Sequence, residues 1–175
     1  MQVFIVAVSA ALVVSFMCSI FESVLLSMSH AQVELLAKQG KQSGRILKAF
    51  KERIDIPISA ILITNTTAHT IGTAVAGASY VDVFNPETLW IFTLVFTVAV
   101  LLFTEIIPKT LGVAYAKQLA KPVAFGIRAL ALMLKPLVLV SEAISRSLRS
   151  DKEGPVTSLD EIRLLATIGP VSYTH

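Results

Sequence analysis

The chain has 175 residues, of which 54% are hydrophobic and 15% charged, with a formal net charge of +3. Soluble domains carry about 25% charged residues, so this composition and a mean hydropathy of +0.73 exclude an ordinary soluble domain and leave room for one membrane domain. The pI near 9.1 does not point to nucleic acid, because Lys and Arg fall in bands that membrane topology explains, and the only cysteine, Cys18, excludes a disulfide framework.

The first apolar run covers residues 3–28. It has no basic n-region and is longer than a signal-peptide core, so it reads as a retained span. Ser19, Glu22, Ser23 and Ser27 recur at i, i+3, i+4 and i+8 and share one helical face. Residues 30–53 are polar and carry Lys38, Lys41, Arg45, Lys48, Lys51 and Arg53, with breaks expected at Gly40 and Gly44. This segment reads as a helical hairpin on the cytoplasmic side. The second span covers residues 56–81. Asn65, His69, Gly72, Thr73 and Ala76 share a face there, where small residues permit close helix approach and polar groups bond across helices. Residues 82–87 form an acidic, turn-forming loop that should face outside. The third span covers residues 89–107. Each span is long enough to cross ~30 Å of hydrocarbon at ~1.5 Å per residue.

Beyond Pro108 the pattern changes. Residues 109–121 are mixed, and Pro122 is expected to start another helix. Residues 124–148 are apolar but interrupted by Arg128, Lys135, Pro136 and Glu142. A fourth crossing would carry the cationic tail outside, so a juxtamembrane helix along the inner surface or around the spans fits better. From Ser150 the chain is soluble in character, and Thr157 or Ser158 before Asp160 and Glu161 signals a helix start. The expected fold is an all-α membrane protein: three transmembrane helices, a cytoplasmic helical hairpin and a juxtamembrane helix over residues 1–149. Residues 150–175 then begin a cytoplasmic helical region that continues past residue 175. The N-terminus is expected outside and the C-terminus in the cytoplasm.

Glu105 carries the functional reading. It ends a run from Leu89 to Thr104 with no charged side chain. A charge there costs ~2.5–3.5 kcal/mol on insertion scales, so it persists where it faces a partner, an ion or a water-filled cavity. Pro108 lacks an N–H and leaves the Thr104 carbonyl without its usual helical partner. Ser19 and Asn65 each lie ~13 Å from the inner end of their spans, and Glu105 lies near the inner end of its own. Antiparallel packing therefore brings a hydroxyl, an amide and a carboxylate to similar depth. Oxygen ligands of this kind suit a hard cation such as Mg²⁺, Ca²⁺ or Na⁺. Simpler roles stay open. Ser27 and Thr73 can bond their own preceding carbonyls, and Asn65 can be interhelical glue. His69 can be a hydrogen-bond donor, an ion ligand or a proton-linked switch. Glu22 can pair with a hairpin lysine, and Glu105 with Lys109 at i+4. An intramembrane enzyme would need Ser19 or Ser23 beside His69. No oxyanion device is visible, so no enzyme is expected.

Cys18-Ser19-Ile20-Phe21-Glu22-Ser23-Val24 followed by Ser27-Met28-Ser29 resembles the Phe-Ser-Gly-x-Glu-Thr-Ala…Ser-x-Ser stretch of the CorC/cyclin M (CNNM) family transmembrane domain. Asn65-Thr66-Thr67-Ala68-His69 resembles that family's Asn-Thr-x-x-Asn stretch, and Glu105-Ile106-Ile107-Pro108-Lys109 its Glu-x-x-Pro-Lys motif. The resemblance covers about residues 3–165. It implies a homodimeric plasma-membrane exporter of Mg²⁺ driven by Na⁺ entry, with CBS modules in the cytoplasm of the full-length protein. It also implies a metal site of Ser19, Asn65, the side chain of His69, Glu105 and a carbonyl near Gly112. Glu22, Ser23, Ser27, Thr66 and Thr73 would line the pathway or a second ion site, while Pro108, Lys109 and Gly72 would serve structure or a hinge. Two departures bear on the ion. His69 stands where the family site has asparagine, and Ile20 and Phe21 replace small residues. A non-transporting cation sensor that signals through a cytoplasmic domain is the alternative reading.

Overall fold

The computed structural model describes residues 1–148, and the expected cytoplasmic region 150–175, with its helix start at Thr157 or Ser158, lies outside the described residues. Among the described residues there are helices and no strand. Helix α1 spans Gln2–Ser27. It stops where Ser29 opens a capping box: the Ser29 hydroxyl accepts from the Gln32 N–H at 3.2 Å, and the Gln32 side chain accepts from the Ser29 N–H at 3.1 Å. Helices α2, His30–Lys38, and α3, Gln42–Glu52, form the hairpin. Gly40 turns it with a φ of 75°, a left-handed conformation that costs other L-residues about 1–2 kcal/mol. Gly44 is not a second break. It lies inside α3, where a Cβ would come within 2.4 Å of the Ala37 backbone nitrogen, so its role is close approach of the two helices. Lys48 and Glu34 pair across the hairpin at 2.8 Å. The Lys48 hydrogen bond and charge hold the Glu34 carboxyl below its usual range, but both groups are exposed, and such pairs contribute little.

Helix α4 spans Asp55–Val83 and runs antiparallel to α1: Asn65 and His69 meet Ser15, Gly72 meets Ala11, and Tyr80 meets Phe4. After a short 3-10 turn at Pro86–Thr88, α5 covers Leu89–Val100, a π-helical stretch covers Leu101–Ile106, and α6 covers Ile107–Ala114. Together Pro86–Ala114 forms one spanning element of 29 residues, longer than the run of 89–107 read from hydropathy. By length and apolarity alone, α1 and Pro86–Ala114 qualify as membrane spans. They run parallel, with Phe4 near Phe92 at one end and Glu22 near Lys109 at the other. Two consecutive spans that run the same way require a return crossing between them. At 29 residues, or ~43 Å at ~1.5 Å per residue, α4 is the connecting helix long enough to make it. Its Thr, Ser, Asn, His and Gly content lowers its hydropathy.

The two ends of this bundle are pinned differently. At the hairpin end, Val24, Leu25 and Met28 of α1 pack with Val33, Leu47 and Ile61, and with Val123 and Ile127 of the next helix. At the opposite end, the rings of Phe4, Tyr80, Phe84, Phe92 and Phe96 stack and tilt against one another at centroid separations of 4.6–6.0 Å. The single juxtamembrane helix expected from sequence is two helices, α7 at Ala116–Met133 and α8 at Lys135–Leu148, bent by 85°. Pro122 does not start α7 but sits inside it. Ala116, Ala120, Val123, Ala124 and Ile127 form a buried stripe at helical spacing, and its packing outweighs the one backbone bond that Pro122 forgoes. The break falls at Leu134, and Pro136, which has no N–H to continue the ladder of α7, sits in the first turn of α8, where none is needed. The elbow is tied back to the start of α4 by Ser59 and Ser141, whose hydroxyls lie 2.8 Å apart, and by an ion pair between Arg53 and the buried Glu142.

The two hairpin glycines separate conformational from steric demand. Gly44→Ala forces a methyl against the backbone of α2 and is expected to lower stability by about 1–3 kcal/mol. Gly40→Ala meets open space and should show only the left-handed backbone cost of about 1–2 kcal/mol. Thermal melts of the two variants in detergent give the comparison: the larger loss belongs to Gly44→Ala.

Candidate cation site between three spans

The polar side chains of the three spans meet midway along the bundle. The α1–α4 contact is close there because Gly72 lies against Ala11, with room for no Cβ: one would fall 2.4 Å from the Ala11 methyl. One turn further along α1, the buried Ser15 hydroxyl donates to the Asn65 side-chain oxygen at 2.7 Å and lies 2.7 Å from His69 Nε2. Serine has one hydroxyl proton. With that proton on Asn65, His69 meets Ser15 as an N–H donor, which fixes the proton on Nε2. The same ring nitrogen faces Glu105 Oε1 at 3.8 Å. This is not a nucleophile–base–acid relay, in which serine and carboxylate contact opposite ring nitrogens. It is a polar chain that joins α1, α4 and the π-helical stretch.

The chain continues on the other side of Glu105. Its Oε2 is 2.9 Å from Lys109 Nζ, one turn along, and Lys109 is also 3.4 Å from Glu22 of α1. Glu22 thus pairs with Lys109 and not with a hairpin lysine. Glu105 has both neighbours the sequence allowed: an ion pair at i+4, and the polar residues of the other two spans. The π-helical stretch places it. Pro108 cannot donate a backbone hydrogen bond, and the turn before it widens so that the Ile107 N–H bonds to the Leu102 carbonyl, five residues back. Thr104 in this stretch is fully buried and bonds the Val100 carbonyl at 2.8 Å.

The other residues singled out from sequence are placed as follows. Ser19 is 1% exposed, and its hydroxyl has no hydrogen-bond partner. Ser23 donates to the carbonyls of Ser19 and Ile20 in its own helix, at 2.8 and 3.0 Å. Gly112 packs on that same turn, where a Cβ would lie 1.8 Å from the Ser23 hydroxyl oxygen, so its visible role is close approach of α6 to α1. Ser27 is exposed and bonds the Val24 carbonyl at 3.3 Å. Thr66 and Thr73 are exposed on α4, outside the polar chain. Pro108 is buried where α6 begins. Sequence reasoning missed Ser15. The signal was there: Ser15 lies four residues before Ser19, on the same face, but inside a run that reads as uniformly apolar.

Among the described residues, no three His, Cys, Asp or Glu side chains converge as a metal site. A cation held here would therefore rely on neutral oxygens and water beside Glu105 and His69. That suits an ion such as Mg²⁺, which keeps part of its hydration shell. A groove of about 780 Å³ between α1, α4 and the α7–α8 elbow includes none of Ser15, Asn65, His69 or Glu105 and is apolar, as a lipid-facing surface should be.

Residues 5–170 match the family model described as the Cyclin M transmembrane N-terminal domain. A UPF0053 protein of Synechocystis is 32% identical over 165 residues, covering 94% of this chain and 48% of the relative. The UPF0053 inner membrane protein YfjD of Escherichia coli is 28% identical over 127 residues, covering 73% of this chain and 30% of the relative. A chloroplastic DUF21 domain-containing protein of Arabidopsis thaliana is 27% identical over 139 residues, covering 77% and 21%. The chain spans less than half the length of each of these relatives.

If the Ser15 contacts join α1 to α4, Ser15→Ala should destabilise the protein by about 0.6–1.7 kcal/mol, the range for polar contacts between membrane helices. Ser23→Ala, which removes only bonds within α1, should stay within about 0.5 kcal/mol of the parent. Chemical unfolding in mixed micelles, followed by circular dichroism, measures both; equal losses would contradict the assignment.

Proposed function

The chain belongs to the Cyclin M transmembrane N-terminal domain family, and we propose that it is the membrane domain of a secondary transporter that exports a divalent cation, Mg²⁺ first, in exchange for Na⁺. One observation carries this reading: Glu105, His69, Asn65 and Ser15, from three different spans, form a continuous polar chain inside the membrane segment. The buried, unpartnered Ser19 hydroxyl in α1, one turn from Ser15, adds an oxygen with no other use. A cation entering here exchanges its charge for that of Lys109 at Glu105 and takes the Asn65 oxygen from the Ser15 proton. Ser19 then supplies a further ligand. Mg²⁺ demands near-octahedral oxygens at ~2.0–2.1 Å, so capture and release must reshape the contact. The π-helical stretch before Pro108 supplies the compliant element, as interrupted helices do in transporters.

His69 bears on which ion is preferred. Imidazole nitrogen suits later first-row metals better than Mg²⁺. It therefore broadens the reading from Mg²⁺ alone to divalent cations that accept a mixed oxygen and nitrogen shell. The six Lys and Arg between Lys38 and Arg53 support a cytoplasmic hairpin, hence an outside N-terminus and a cytoplasmic C-terminus in the plasma membrane. A homodimer and cytoplasmic CBS modules belong to the same reading, the relatives being long enough to hold further modules, and no enzymatic step is part of it. A non-transporting cation sensor is the second reading. It is favoured by the internal ion pair of Glu105, since cation capture would free Lys109 and shift α6 without any ion crossing.

Glu105→Gln keeps the side-chain shape and removes the charge. In proteoliposomes it is expected to abolish Mg²⁺ efflux while the helical circular dichroism is retained; parental flux in that variant would defeat the transporter assignment, and absent flux in the parent would favour the sensor. His69→Asn is expected to lower the ratio of Co²⁺ to Mg²⁺ flux, read with metal-specific dyes.

A further inference from the structure

Of the fifteen Lys and Arg in the sequence, Lys109 is the only one inside α1, α4 or Pro86–Ala114. Its ammonium lies 2.9 Å from Glu105 and 3.4 Å from Glu22, and so bridges two spans. The two carboxylates and the ammonium carry one formal negative charge between them. His69 is the other titratable group facing Glu105, and Ser15 and Asn65 complete the ring of contacts.

We infer that Lys109 is a tethered competitor for the transported cation, occupying the electrostatic position at Glu105 and Glu22 that the cation must take over. This rests on the reading of Glu105 as the cation's counter-charge. A carboxylate without a counter-charge is costly in the membrane, and an exchanger's site stands empty between the release of one ion and the arrival of the other. The lysine supplies it from within. Its ammonium is a compact charge on a flexible four-carbon stem, and its side chain is nearly half exposed. It can therefore withdraw toward the membrane surface when a divalent ion arrives. A buried arginine held bidentately would not release as readily. The consequence is a site tuned for exchange rather than for tight binding. Lys109 lowers apparent affinity and, in return, supplies Glu105 with a counter-charge in the interval between the two exchanged ions.

The prediction has a sign that a structural role would not produce. Lys109→Met leaves two uncompensated formal charges and should bind divalent cation roughly tenfold more tightly, by removing a like charge at contact distance. Its Mg²⁺ efflux should fall, because no tethered charge is left to displace the ion at release. Glu22→Gln frees the ammonium to serve Glu105 alone and should weaken binding by a similar factor. The double variant should lie between the two. Titration of the 175-residue chain in detergent with Mg²⁺ and with Mn²⁺, by calorimetry, gives the order. Weaker or unchanged binding in a folded Lys109→Met overturns the inference while leaving the role of Glu105 standing. If Lys109→Met does not fold, unchanged binding in Glu22→Gln overturns it. If the parent binds neither metal, the reading of Glu105 fails first and this one with it.

Discussion

A charge buried in a membrane span has to be answered, and the answer to Glu105 organises this protein. Two groups respond. Lys109 approaches from one helical turn away at 2.9 Å, and His69 approaches from the neighbouring span at 3.8 Å. Each in turn requires a partner. Lys109 finds Glu22, and His69 finds Ser15, whose proton goes to Asn65. Glu22, Lys109, Glu105, His69, Ser15 and Asn65 are thus one connected system across the three spans. Altering any member changes what the others must bond, because water is not available in hydrocarbon to substitute for a lost contact.

That system can form only if the helices come close at the right height. Gly72 against Ala11 and Gly112 against Ser23 set the approach, at positions where a Cβ would collide. The close packing of small residues brings backbones together and lets short side chains such as Ser15 span the gap. The π-helical stretch then adjusts the phase of the third span. An extra residue in the turn before Pro108 rotates Glu105 relative to the α5 segment above it. Pro122 lies inside the regular helix α7, whereas Pro108 is preceded by this widened turn.

Much of this was legible in the sequence, for stated physical reasons. The first two spans, the hairpin and the acidic turn follow from hydropathy and charge banding, and their bounds fall within a few residues of those observed. Glu105 was marked by its cost in hydrocarbon, and Asn65 and His69 by their shared face. What escaped has equally plain causes. Ser15 is small and lies in an apolar run, where a hydroxyl scarcely alters hydropathy. Pro122 was read as a helix start because the buried alanine and valine stripe around it becomes visible only once α1 and α3 are placed against it. Gly44 was read as a break because a glycine needed for close approach looks the same in sequence as one needed for a turn. In the sequence the π-helix shows only as a freed carbonyl near Thr104; the chain accommodates the proline by widening the turn before it.

The distribution of packing also says where movement is cheapest. The aromatic stack at one end and the aliphatic core at the other join elements through many dispersion contacts that have no ready substitute. Between them, close contacts of small residues leave room for the hydrogen bonds and ion pairs that join the three spans, and these are the contacts a cation would compete for. A ligand that exchanges those bonds changes the middle of the bundle while the ends hold. The element most able to respond is the π-helical stretch, which carries Glu105 and already departs from regular geometry. Of the residues that would bind an ion, Glu105 therefore sits on the part of the fold with the least resistance to being reshaped by it.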